Sequence, residues 1–149
     1  MRILRVIYVL GIAVALIFLV VTGVEAFYPE PSYPEYDPPT WDYDSPEYEE
    51  WEQEWEEAVA AYEEEAAVHD KNVFLIVLPL GVVFAIGGTF IQRRTGIFGA
   101  GLILGGIGTM ILAIVPYDLD TKLRFAGIAV ILAVLIFVGY KVFLSLRKS

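Results

Sequence analysis

An all-α membrane protein is what this sequence predicts: a four-transmembrane-helix bundle with an extracytoplasmic polyproline-like strand and an amphipathic acidic helix. Three observations predict it. Of the 149 residues, 57% are hydrophobic, where ordinary soluble domains sit near about 45–50%. The excess is gathered into four blocks rather than spread along the chain. Charge is also segregated: residues 27–72 hold 16 carboxylates and one cation, Lys71, while the whole chain carries −9.

The first block runs from Val6 to Val24, within a segment of residues 1–26 that reads as a signal anchor. The same segment resembles a cleaved secretory signal, with Arg2 and Arg5 in front and small residues at Val24-Glu25-Ala26. Its apolar run exceeds the usual h-region of about 7–15 residues, which favours retention. The later blocks are Val73–Ile91, Ile97–Val115 and Phe125–Leu144. Each is long enough, as a helix, to cross about 30 Å of hydrocarbon. Ionisable residues are absent from their centres, and in lipid only a helix pairs all of its own backbone amides.

The positive-inside rule then orients the path. Arg2, Arg5, Arg93, Arg94, Lys141, Arg147 and Lys148 fall on one side with no carboxylate among them. Lys71, Lys122 and Arg124 fall on the other beside all 19 carboxylates. The expected location is the cell membrane, multi-pass, with both termini and the Gln92–Gly96 turn cytoplasmic and residues 27–72 outside. Tyr8 and Tyr140 suit the inner interface; Phe27, Tyr28 and Tyr117 suit the outer one.

The outer segment divides in two. Residues 27–45 read FYPEPSYPEYDPPTWDYDS, where Pro29, Pro31, Pro34, Pro38 and Pro39 forbid a helix and favour polyproline II. Its three-residue turn puts Tyr33, Tyr36 and Pro39 on one face and Tyr28, Pro31 and Pro34 on another. A helix over 46–70 follows, with Ser45 as N-cap, Pro46 in the first position and Glu47, Glu49 and Glu50 at the positive end of its dipole. Tyr48, Trp51, Trp55, Val59, Tyr62 and Ala66 recur at helical spacing and form one stripe. The other faces are mostly glutamate, with Glu50/Glu54 and Glu52/Glu56 repelling one turn apart. Such a helix needs something packed on its stripe: the tethered strand first, then a second copy or another protein. A strand folded back on a helix resembles the pancreatic-polypeptide arrangement, in architecture alone. No residue in His69-Asp70-Lys71-Asn72 forces a break before the second span, though Asp70 or Asn72 could instead cap a separate span.

Inside the membrane, small residues let helices approach closely. Gly81 and Ala85 in the second span, and the G-x-x-x-G pair Gly101 and Gly105 in the third, are the candidate helix-packing positions. Pro79 predicts a mild kink.

Candidate chemistry is sparse. With no cysteine there is no thiolate site. Polar residues within the spans are few, chiefly Thr22, Thr89 and Thr109, so a single copy offers no hydrophilic pathway. The lone histidine, His69, reads as an interfacial residue at a helix junction. Glu63, Glu64 and Glu65, with Asp42 and Asp44, offer at most weak divalent-cation binding on a solvated acidic face. Trp41, Trp51 and Trp55 read as packing residues before sugar platforms. No catalytic, cofactor-binding or metal residues are assigned, no cofactor is expected, and nucleic acid is excluded as a partner of the acidic region by charge. The layout of spans and loops resembles the claudin-like tetraspan arrangement, but the loop lacks Gly-Leu-Trp and two cysteines, so only topology is shared. The expected function is that of a non-enzymatic accessory, assembly or interaction subunit, with the lipid bilayer and a second copy or another membrane protein as partners. The alternative is a homo-oligomeric cation channel or transporter component with an acidic vestibule.

Overall fold

The computed structural model describes residues 2–35, 37–39, 43–116 and 119–147. Tyr36, Trp41, Asp42, Tyr117 and Lys148 lie outside the described residues. Within them the chain forms four α-helices and no strand: α1 Arg2–Phe27, α2 Pro46–Thr95, α3 Ile97–Ala113 and α4 Thr121–Arg147. Three of these, α1, α2 and α4, are long and apolar enough to cross a membrane.

The outer helix and the second span are one element. α2 runs for 50 residues without interruption, about 75 Å at 1.5 Å per residue. Ser45 opens it in an extended conformation and accepts a hydrogen bond from the Tyr48 amide at 3.2 Å, with Pro46 in the first helical position. The helix passes through Pro79 and stops at Gly96, whose φ of +56° is the left-handed turn that glycine tolerates. Arg93 and Arg94 occupy the last turn, where cations suit the dipole.

α3 is the hub. It touches each of the other helices, and eight of its 17 residues are buried. Its glycines divide between two neighbours. On one side Gly106 meets Gly81 and Ala85 of α2, and Gly99 meets Gln92. A Cβ added at Gly106 would lie 2.5 Å from the Ala85 nitrogen and 2.6 Å from the Gly81 oxygen. On the other side Gly101 and Gly105 face Ile12, Ala13 and Leu16 of α1. So Gly81 and Ala85 pack on α3, as close approach of those spans requires, while Gly101 and Gly105 pack on α1. Spacing of i, i+4 puts two glycines on one face but does not say which helix that face meets.

These contacts fix direction. Successive α3 residues meet α2 in descending order, from Gln92 to Gly81, and meet α1 in ascending order, from Ile12 to Ile17. Gly127 of α4 lies against both Ile114 and Phe74. The close contacts of α3 with α2 run from Gln92 to Gly81, and the 17 residues of α3 reach about 25 Å. The α4 seam reads Gly127, Ile131, Val134 and Val138, all buried. At the α3–α4 turn, Arg124 reaches back to the Pro116 carbonyl at 2.7 Å. Met110, Ala85, Thr109 and Ala113 are almost completely enclosed. The Thr89 and Thr109 hydroxyls donate to Ala85 and Gly105 carbonyls one turn back, so neither carries an unmet hydrogen bond into the core. Outward residues such as Phe18, Val83, Ile136 and Phe143 are apolar and exposed, as a lipid-facing surface requires.

Candidate functional site

The acidic half of α2 and the segment leading to it form the most distinctive surface. From Pro46 to Val68, the residues that are not fully exposed are Tyr48, Trp51, Trp55, Val59, Tyr62 and Ala66. All six sit on the predicted stripe, and every glutamate among their neighbours is exposed. The cover comes from the chain's own preceding segment. Tyr33 meets Tyr62 edge-on at 5.0 Å, and Tyr43 meets Tyr48 at 5.0 Å. Along the stripe, Tyr48 and Trp51 lie 5.5 Å apart, and Trp51 stacks on Trp55 at 6.2 Å. Residues 28, 33 and 43 thus meet residues 69, 62 and 48, so the segment runs antiparallel to α2. Among the described residues of 28–39, the half-buried positions are Tyr28, Pro31, Pro34 and Pro38, and the others are exposed.

The segment is anchored at the foot of this arrangement. The Tyr28 and His69 rings stack with centroids 4.9 Å apart and planes 1° from parallel. His69 Nε2 lies 3.1 Å from the Tyr28 carbonyl oxygen. A carbonyl only accepts, so Nε2 carries the hydrogen in that bond. Asn72 Nδ2 donates to the Tyr28 hydroxyl at 2.9 Å, and His69 Nδ1 lies 3.4 Å from Asp70 Oδ1. Two hydrogen bonds and one ring stack thereby tie the end of α1 to the level of α2 where glutamate gives way to apolar sequence. His69 lies at that level within the uninterrupted α2, not at the helix junction expected from the sequence. Its pairing with Tyr28 across 41 positions had no sequence signal; Tyr28 stood out as an interfacial aromatic and, with Pro31 and Pro34, as one face of the polyproline turn.

Below the clasp is a crevice of about 610 Å³ between α1, α2 and α3. Its floor includes Val20, Val77 and Ala113, and its rim includes Glu25, Glu30 and Asp70. Chemistry elsewhere is thin. Glu63, Glu64 and Glu65 are exposed, and among the described residues no three His, Cys, Asp or Glu side chains gather where a metal could sit.

Charge separates along the bundle. Arg2, Arg5, Arg93, Arg94, Lys141 and Arg147 lie at the helix ends on one side, and Glu25, Asp70, Asp120 and the glutamate-rich half of α2 lie at the other. The architecture is that of a helical membrane protein. Comparison with protein-family models, curated proteins and solved structures finds no match to this chain.

Proposed function

We propose that this chain is a four-span integral membrane protein that acts as a non-enzymatic accessory or assembly subunit, presenting a rigid acidic arm outside the membrane. One observation carries the reading: α2 is unbroken from Pro46 to Thr95, so the arm is continuous with the helix that packs in the bundle. The half-buried positions 28, 31, 34 and 38 recur about every three residues, which supports a polyproline-like strand lying on the stripe. The stripe is the internal fastening of the arm. A partner therefore meets its glutamate faces and the exposed rings of Tyr33 and Tyr43.

Four crossings are supported by α3, an apolar helix that runs antiparallel to α2 along Gln92 to Gly81. Retention of α1 is supported by Ile12, Ala13 and Leu16, which fill the close-approach face at Gly101 and Gly105. The cation-rich helix ends are the cytoplasmic ones by the positive-inside rule.

Two experiments test this. Single cysteines in place of Ser32 and Thr95, in a chain without others, are exposed to an impermeant thiol reagent on intact cells. Ser32→Cys labels and Thr95→Cys does not; labelling of Thr95→Cys overturns the orientation. Purified protein in liposomes passes no ions. Selective cation current, lost on neutralising Glu63, Glu64 and Glu65, would replace the subunit reading with the channel.

A further inference from the structure

We propose that the cation-rich end of the bundle holds a binding site for a phosphate group bearing an apolar tail, such as an anionic lipid headgroup. A cavity of about 340 Å³ opens there between the end of α2 and the end of α4. That falls within the range of about 300–1,000 Å³ typical of ligand sites. Gln92 and Arg93 line it from α2, Lys141 and Val142 from α4, and Phe90 borders it.

Three features define the ligand. The first is unneutralised positive charge. No Asp or Glu occurs before Glu25, between Lys71 and Pro116, or after Asp120. No carboxylate side chain therefore reaches the end of the bundle where Arg93 and Lys141 converge from different helices. The second is donor chemistry. Arg93, Lys141 and the Gln92 amide supply hydrogens suited to phosphate oxygens, and a guanidinium can hold two of them at once. The Thr89 hydroxyl is already committed to the Ala85 carbonyl. The third is the apolar border. Phe90 is 62% exposed beside Val142, which gives an acyl chain a surface to lie on next to the headgroup. Lys141 Nζ lies 5.9 Å from the centroid of the Phe137 ring, at the outer edge of cation–π range. Basic pockets between membrane helices take anionic headgroups by this combination.

The site rests on the membrane-spanning reading but not on which side faces the cytoplasm. Its test is done in neutral detergent, where its failure leaves the topology standing. The full chain is titrated with short-chain phosphatidylglycerol, the matching phosphatidylcholine, and inorganic phosphate. Phosphatidylglycerol binds, and phosphatidylcholine binds at least about fivefold more weakly. Arg93→Gln or Lys141→Gln each weakens phosphatidylglycerol by about fivefold, and the pair by about thirtyfold. Arg94→Gln and Arg5→Gln, which do not line the cavity, change binding by less than about twofold. Exchanging the two cations, Arg93→Lys with Lys141→Arg, keeps binding and guards against a folding artefact. Inorganic phosphate that binds as tightly as the lipid places the source in solution; weak competition by it places the source in the membrane. Equal affinity for the two lipids, or full affinity in the Arg93→Gln/Lys141→Gln variant, overturns the site.

Discussion

Adding a single methyl group at Gly106 probes the α2–α3 contact directly. The new Cβ would stand 2.5 Å from the Ala85 nitrogen and 2.6 Å from the Gly81 oxygen. Both are backbone atoms of α2, so no rotamer change relieves the overlap. Ordinary contact begins near 3.4 Å, so the two helices must separate by close to an ångström. A gap of that size forfeits about a quarter to a half of the dispersion energy of each contact it opens. Overpacking of this kind costs about 1–3 kcal/mol, and Gly106→Ala belongs in the upper half because α3 is clamped on its other face by α1. The control is Gly87→Ala, about one and two-thirds turns from Gly81 on the same α2, where an added Cβ meets nothing within 4 Å. That substitution is neutral or slightly stabilising, since alanine is the better helix former by about 1 kcal/mol. The assay is unfolding of purified protein by a denaturing detergent in mixed micelles, followed by far-ultraviolet circular dichroism. If Gly106→Ala and Gly87→Ala unfold within about 0.5 kcal/mol of each other, the close-approach account fails.

Further substitutions separate the outer contacts. Tyr28→Phe removes the hydroxyl that accepts from Asn72 and costs about 0.5–1.5 kcal/mol. Tyr28→Ala also loses the His69 stack and costs about 0.5–1.5 kcal/mol more; hydrogen exchange at residues 69–72 reads both, and equal effects refute the stack. Ser45→Ala removes the N-cap at a cost of about 1 kcal/mol, seen as faster exchange at Tyr48 and Glu49 with the membrane half unchanged. Raising salt from about 0.01 M to 0.15 M shortens the screening length from about 30 Å to about 8 Å, so the glutamate-rich half of α2 gains amide protection. Loss of protection would show that the carboxylates are not repelling one another.

Much of this arrangement is legible in residue order because the relevant periods are strong. The stripe from Tyr48 to Ala66 alternates with glutamates, so its spacing assigns each residue to a side, and burial follows that assignment residue by residue. Ser45-Pro46 marks the start of α2 because the cap and the first helical position have narrow chemistry. Three things were not readable. The second span and the outer helix are one rod because neither Asp70 nor Asn72 needs to cap anything when the helix simply continues. The seam of α4, Gly127 to Val138, is hidden because residues on every side of it are also apolar. The division of α3, with Gly106 against α2 and Gly101 and Gly105 against α1, depends on contacts between distant segments. A glycine-rich sequence permits close approach on all sides and names no neighbour.

The unbroken α2 has a mechanical consequence. A rod pivoting where Tyr28 and His69 clasp it carries an outer arm of about 37 Å, from Pro46 to Asp70, and an inner arm of comparable length. Ten degrees of tilt at the clasp would sweep the outer tip by about 6 Å, and the Arg93 end by a similar distance in the opposite sense. Gly81 and Gly106 bring the two backbones together there, with the Met110 side chain seated against Gly81.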